Sequence, residues 1–153
     1  MKDKQGLNSF YIATKNGHGK VLRILAKHGI DIYNTDMKGN NALHISAKKD
    51  ADFGILRMLV ESRYELDRQN EEGATAMHVA AQKGNLRSLQ VLVENGANID
   101  ILNKHSLCPL YLAVLNNHVE CVRYLTRADA KAFFDDNDTL KDRSPVFLAT
   151  RNQ

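Results

Sequence analysis

Two of the six histidines recur at one position of a repeated pattern, and with the two cysteines they are the first side chains to weigh for catalysis or metal binding. His44 and His78 could act as bases or zinc ligands, and Cys108 and Cys121 could act as nucleophiles or ligands. Their spacing argues against both. No cysteine or carboxylate accompanies either histidine at a metal-ligand interval, and no base or oxyanion donor stands near either cysteine in sequence. Both cysteines fall where the surrounding pattern calls for apolar residues, so they read as reduced, buried thiols. Neither catalysis nor a bound cofactor or metal is expected.

The shared position of the histidines lies in a recurring segment. Gly39-Asn40-Asn41-Ala42-Leu43-His44-Ile45-Ser46 returns thirty-four residues later as Gly73-Ala74-Thr75-Ala76-Met77-His78-Val79-Ala80. Blurred copies begin at Gly6 and at Ser106, and a last one occupies residues 142–149. A period of this size marks a solenoid, in which each unit buries its apolar face against its neighbours. Such a stack offers a long ridged surface and no catalytic cleft.

The clearest unit shows how the elements are specified. Asn70-Glu71-Glu72-Gly73 is a turn. Thr75 is placed to cap a helix over residues 76–83, and Gly84-Asn85 ends it. Leu86, Leu89, Val91, Leu92 and Val93 then form the broad apolar face of a second helix, which stops at Asn95-Gly96.

Gly-x-Thr-x-Met-His-x-Ala-Ala-x-x-Gly-Asn followed by Val-Leu-Val-x-x-Gly-Ala-Asn-Ile resembles an ankyrin repeat. Matching residues include Asn16-Gly17-His18, Ala42-Leu43-His44 and Pro109-Leu110. The resemblance implies an all-α solenoid of helix-turn-helix units with β-hairpin fingers, running through residues 1–153 as one domain. Repeats are expected at about 3–35, 36–69, 70–102 and 103–138, with a partial one at 139–153. It also implies that His44 and His78 bridge neighbouring repeats, with Thr75 contributing beside His78, and that first helices and finger tips line a concave groove. Tyr111 takes the histidine slot in the fourth unit and is expected to pack there.

Three departures from the pattern stand out. The second unit carries an extra residue in Lys49-Asp50-Ala51-Asp52-Phe53-Gly54. Arg63 stands where Gly29 and Gly96 stand, a place that suits left-handed backbone. Residues 127–138 lack a Gly-Ala-Asp-like stop and read as an irregular or lengthened connection. Neither end carries a polar capping repeat, so the chain is expected to be an excerpt of a longer ankyrin protein.

The groove positions carry a pattern of charge. Lys15, then Lys48 and Lys49, then Lys83, then Arg151 occupy the end of successive first helices, while the fourth unit has Leu115 there. The cations would form a stripe roughly 30–40 Å long that steers an acidic, extended protein partner. The competing reading is an ordinary solvated face. Leu107 and Leu115 are candidate apolar anchors, and the variable finger tips Met37, Glu71 and Glu72 are candidate contacts.

The expected function is therefore non-catalytic protein–protein interaction. Two alternatives remain open: the cytosolic ankyrin segment of a membrane channel or multidomain enzyme, and binding of nucleic acid or an anionic surface through the lysines. A net charge of +3 and few aromatics among the cations disfavour nucleic acid. No secretory signal or membrane-length apolar run is present, so the expected location is the cytoplasm, with the nucleus as alternative.

Overall fold

The computed structural model describes residues 3–4, 6–49, 53–62 and 64–135. Outside it lie Arg63, residues 50–52 of the second unit's longer connection, the copy at 142–149 and Arg151. Eight helices form among the described residues: α1 (Ser9–Lys15), α2 (Gly19–Lys27), α3 (Ala42–Ala47), α4 (Phe53–Glu61), α5 (Ala76–Lys83), α6 (Leu86–Glu94), α7 (Pro109–Leu115) and α8 (Val119–Asp135).

Local chemistry sets the helix ends. Asn8, Asn41 and Thr75 sit in extended backbone before α1, α3 and α5, and each side chain accepts the third helical N–H. Pro109 opens α7, where a missing N–H costs nothing. Gly84 ends α5 in the left-handed region at φ 74°. A Cβ there would also stand 2.5 Å from the His118 ring, so both backbone and packing demand glycine.

Each first helix packs on its own second helix, α1 on α2, α3 on α4, α5 on α6 and α7 on α8. Along the stack α1, α3, α5 and α7 pack in series, and so do α4, α6 and α8. One continuous apolar core threads the units through Phe10, Leu22, Leu43, Leu56, Met77, Leu89 and Leu125. A fully buried leucine of this kind contributes about 1.5–3 kcal/mol.

Two expectations need correction. The fingers contain no strand among the described residues. Each is a tight turn closed by two backbone bonds, as in Asn70 N–H to Ala74 O (2.9 Å) with Gly73 N–H to Asn70 O (2.9 Å), and Asn103 N–H to Leu107 O (3.0 Å) with Ser106 N–H to Asn103 O (2.9 Å). The side chain at the turn's start does the rest: Oδ1 of Asp36, Asn70 and Asn103 accepts the N–H groups two and four residues on. Neighbouring fingers are joined by Glu71 N–H to Lys38 O (3.0 Å) and Lys104 N–H to Glu72 O (2.9 Å). The arms are too short to build a ladder.

The second correction concerns residues 127–135. They are not an irregular connection but the continuation of α8, which runs for 17 residues where α2, α4 and α6 run for 9. Without a glycine to stop it, the Ala-rich sequence after Thr126 carries the helix on.

Candidate functional site

One slot in each of α1, α3 and α5 faces the following unit. In the third unit it is His78, whose Nε2–H donates to Leu107 O (3.0 Å). Nδ1 therefore accepts, from Thr75 N–H (3.1 Å) and from the Thr75 hydroxyl (2.9 Å), while Thr75 Oγ1 accepts His78 N–H (3.4 Å). In the second unit His44 Nε2–H donates to Ala74 O (2.8 Å) and Nδ1 accepts from Asn41 N–H (3.3 Å). Burial holds both imidazoles below their ordinary pKa of 6.5. Neutral, fully engaged rings of this kind have no lone pair to offer a substrate.

The first unit uses a tyrosine in the same slot. Tyr11 OH donates to Asp36 Oδ2 (2.8 Å) of the next unit. Burial pushes the Tyr11 hydroxyl well above its usual range, and the Asp36 carboxylate pushes it further. Burial pushes the Asp36 carboxyl up, but hydrogen bonds from Asn40, Tyr11 and Lys38 outweigh it and hold the group below its ordinary range. Sequence reasoning missed this bridge, though counting back thirty-three residues from His44 lands on Tyr11. Tyr111, expected to pack in the same slot, is instead 44% exposed, against 2% for His44 and 1% for His78. The described neighbours of α7 are α5 and α8, which leave its outward face uncovered.

Cys108 and Cys121 are buried and form no disulfide. Burial also raises the Cys108 thiol pKa, which makes it a poor nucleophile. Among the described residues no group of three His, Cys, Asp or Glu could hold a metal ion.

The lysine row is built by the ends of the first helices. Lys15 and Lys83 are the last residues of α1 and α5, and Lys48 follows α3 with Lys49 next to it. All four side chains are exposed. Two ion pairs form among the described residues, Arg57–Glu61 and Arg123–Glu120, and neither involves these lysines. Cations at helix C-termini complement the helix dipole, so the row has a local electrostatic reason of its own. Second-helix caps from the next unit hold two of these ends: Asn85 Nδ2 donates to Ala47 O (2.8 Å) and His118 Nε2 to Gln82 O (3.0 Å).

Beside the lysines, on the same helix face, lie the half-buried Ile12, Ile45 and Val79. In the fourth unit Leu115 continues the row and is 60% exposed. Leu107 does not join it: its side chain is half-buried against the core while its carbonyl takes the His78 bond. Met37, Glu71 and Glu72 are exposed on the second and third fingers.

The family model described as ankyrin repeats (3 copies) matches residues 1–70 and again residues 51–138. Ankyrin repeat protein nuc-2 of Neurospora crassa is 33% identical over 118 residues, covering 76% of this chain and 11% of that protein. Ankyrin repeat and KH domain-containing protein mask-1 of Caenorhabditis elegans is 30% identical over 140 residues, 90% of this chain and 5% of that protein. A transient receptor potential cation channel subfamily A member 1 homolog from the same nematode is 34% identical over 131 residues, 86% of this chain and 11% of that protein. The chain thus spans a small part of the length of these relatives. No helix among the described residues is long and apolar enough to cross a membrane. Repeated motif, stacked helix pairs, inter-unit histidine bridges and these matches agree: the chain belongs to the ankyrin-repeat family, whose repeats are generally protein–protein interaction modules.

Proposed function

We propose that this chain is a non-catalytic docking module whose lysine-lined groove takes an acidic segment of a partner protein, with the finger tips Met37, Glu71 and Glu72 framing it. The observation that carries this reading is the row itself. Lys15, Lys48, Lys49 and Lys83 are exposed, stand at corresponding ends of successive first helices, and enter no ion pair among the described residues. A preformed row loses little ordering entropy on association, and its field attracts an anionic chain before contact. Half-buried apolar residues beside the cations suit a peptide better than a phosphate backbone. The small share of each relative that this chain spans favours a second reading at another level. There the module is one segment of a larger protein, since it matches 11% of the nematode channel homolog and 5% of mask-1.

The test uses fluorescein-labelled polyglutamate as probe and the triple variant Lys48→Glu, Lys49→Glu, Lys83→Glu. Polyglutamate should bind the native chain with an affinity that falls steeply as salt is raised, and binding should vanish in the variant while its circular dichroism is unchanged. Equal binding by native and variant chains rejects the groove as the recognition surface.

A further inference from the structure

The spacing of the row constrains the shape of what it binds. Stacked helices lie about 8–10 Å apart, so α1, α3 and α5 present one lysine row per 8–10 Å, and α7 presents Leu115 at the next step. A polyproline II segment has 3 residues per turn and rises about 3.1 Å per residue, so one of its faces returns every ~9 Å. A β-strand repeats its face every ~6.6 Å and drifts out of step along three units, whereas an α-helix returns after two turns at ~10.5 Å, just above the range.

Resting on the acidic-groove reading above, we propose that the ligand is an extended polyproline II segment with a carboxylate at every third residue and one apolar residue a further three positions on. The carboxylates meet Lys15, the Lys48–Lys49 pair and Lys83, and the apolar residue meets Leu115. Three features of the protein fit this occupant. The apolar strip Ile12, Ile45 and Val79 runs parallel to the lysines and suits the uncharged flank of such a segment. The fourth unit breaks the run of cations, and Leu115 stands exposed there at 60%. Glu71 and Glu72 on the third finger repel carboxylates from that wall, which keeps the anionic edge on the helix side.

The experiment compares labelled synthetic peptides by fluorescence anisotropy on the native chain. The first has glutamate at every third position and a terminal leucine, made with the leucine at either end because the direction is open. The second has the same composition with glutamate at every second position. The third replaces leucine by alanine, the fourth replaces every glutamate by serine, and the fifth is a longer peptide with glutamate at every seventh position. The first peptide should bind about tenfold tighter than the second, since register decides how many exposed pairs form at once. The advantage of leucine over alanine should disappear in Leu115→Ala, a substitution at an exposed site that leaves the core intact. Equal affinity for the first and second peptides, both salt-sensitive, overturns the three-residue register while the acidic groove stands. Tighter binding of the every-seventh peptide overturns the extended form. No advantage of leucine at either end overturns the anchor. Equal binding of the serine and glutamate peptides removes the acidic groove itself, and this proposal with it.

Discussion

Asn41 and Thr75 cap corresponding helices and serve corresponding histidines, yet only threonine suits both duties. A hydroxyl can donate to Nδ1 and accept the backbone N–H at one atom, which Thr75 does for His78. Asn41 offers Oδ1 to His44 N–H and thereby sets a carbonyl oxygen 2.6 Å from Nδ1, an acceptor once Nε2–H is committed to Ala74. Its Nδ2 is left buried with no partner. An orphaned buried donor costs about 1–3 kcal/mol, so Asn41→Thr should stabilise the protein by about 1 kcal/mol. Urea denaturation measures this, and a lower midpoint would contradict the account. The histidines also give a pH signature. Both are held neutral by burial, so their folded pKa lies below the 6.5 of the free group and the unfolded chain takes up protons first as pH falls. Their contribution is complete above about pH 7 and declines below 6.5 towards the folded pKa, well before the Asp36 carboxylate begins to protonate below 3.8. The melting temperature should therefore drop between pH 7.5 and 5.5, and less so in His78→Gln. At this scale the sequence revealed the Thr75 cap and the histidine slot. The Tyr11–Asp36 bridge and the Asn41 misfit were hidden, because both depend on which atom of a neighbouring unit arrives opposite.

Helix boundaries were legible where glycine and a cap residue bracket an apolar run, as for α5 and α6, whose observed limits are those read from residues 70–102. They were not legible where a stop is missing. The absent Gly-Ala-Asp motif after Thr126 suggested an irregular connection, but absence of a breaker followed by Ala128, Ala130 and Ala132 leaves the helix no reason to end. A proline tests the difference directly. Ala128→Pro removes an N–H from the ladder of α8 and clashes with the preceding turn, at a cost of about 3 kcal/mol. Helical ellipticity and the urea midpoint should both fall. An irregular connection would tolerate the same proline without either change. The fingers failed in the opposite sense: turn chemistry was plain in Asn70-Glu71-Glu72-Gly73, but only the structure shows that side-chain acceptors replace a strand ladder.

Across the molecule, stability is shared only between neighbours, so coverage decides local strength. In α2, Val21 and Ile24 are exposed at 45% and 59%, whereas their counterparts Ser88 and Val91 in α6 are buried beneath the preceding unit. Hydrogen exchange should consequently be faster in α1 and α2 than in α5 and α6, which are enclosed on both sides. Uniform protection from α1 to α6 would count against a nearest-neighbour stack. Periodicity marked the solenoid and the ankyrin resemblance supplied the helix pairs, because the motif recurs at a fixed spacing even where the junction residue changes from His78 to Tyr11. A binding role for the lysine row could not be read, since an exposed lysine at a helix C-terminus has a local electrostatic reason whether or not it meets a partner.

The Tyr11–Asp36 bridge has an evolutionary side. Tandem arrays grow and shrink by copying or losing whole units, and a copied unit survives only beside a neighbour that fits it. His44 and His78 each ask for a bare backbone carbonyl, which any unit supplies, so duplication at those junctions is tolerated. Tyr11 asks for a carboxylate, and the third and fourth units carry Asn70 and Asn103 where the second carries Asp36. A copy of either placed after the first unit would exchange a charge-assisted bond for a neutral one. The first two units are thus matched to each other as heritable partners, while the junctions after His44 and His78 place no such demand on the unit that follows.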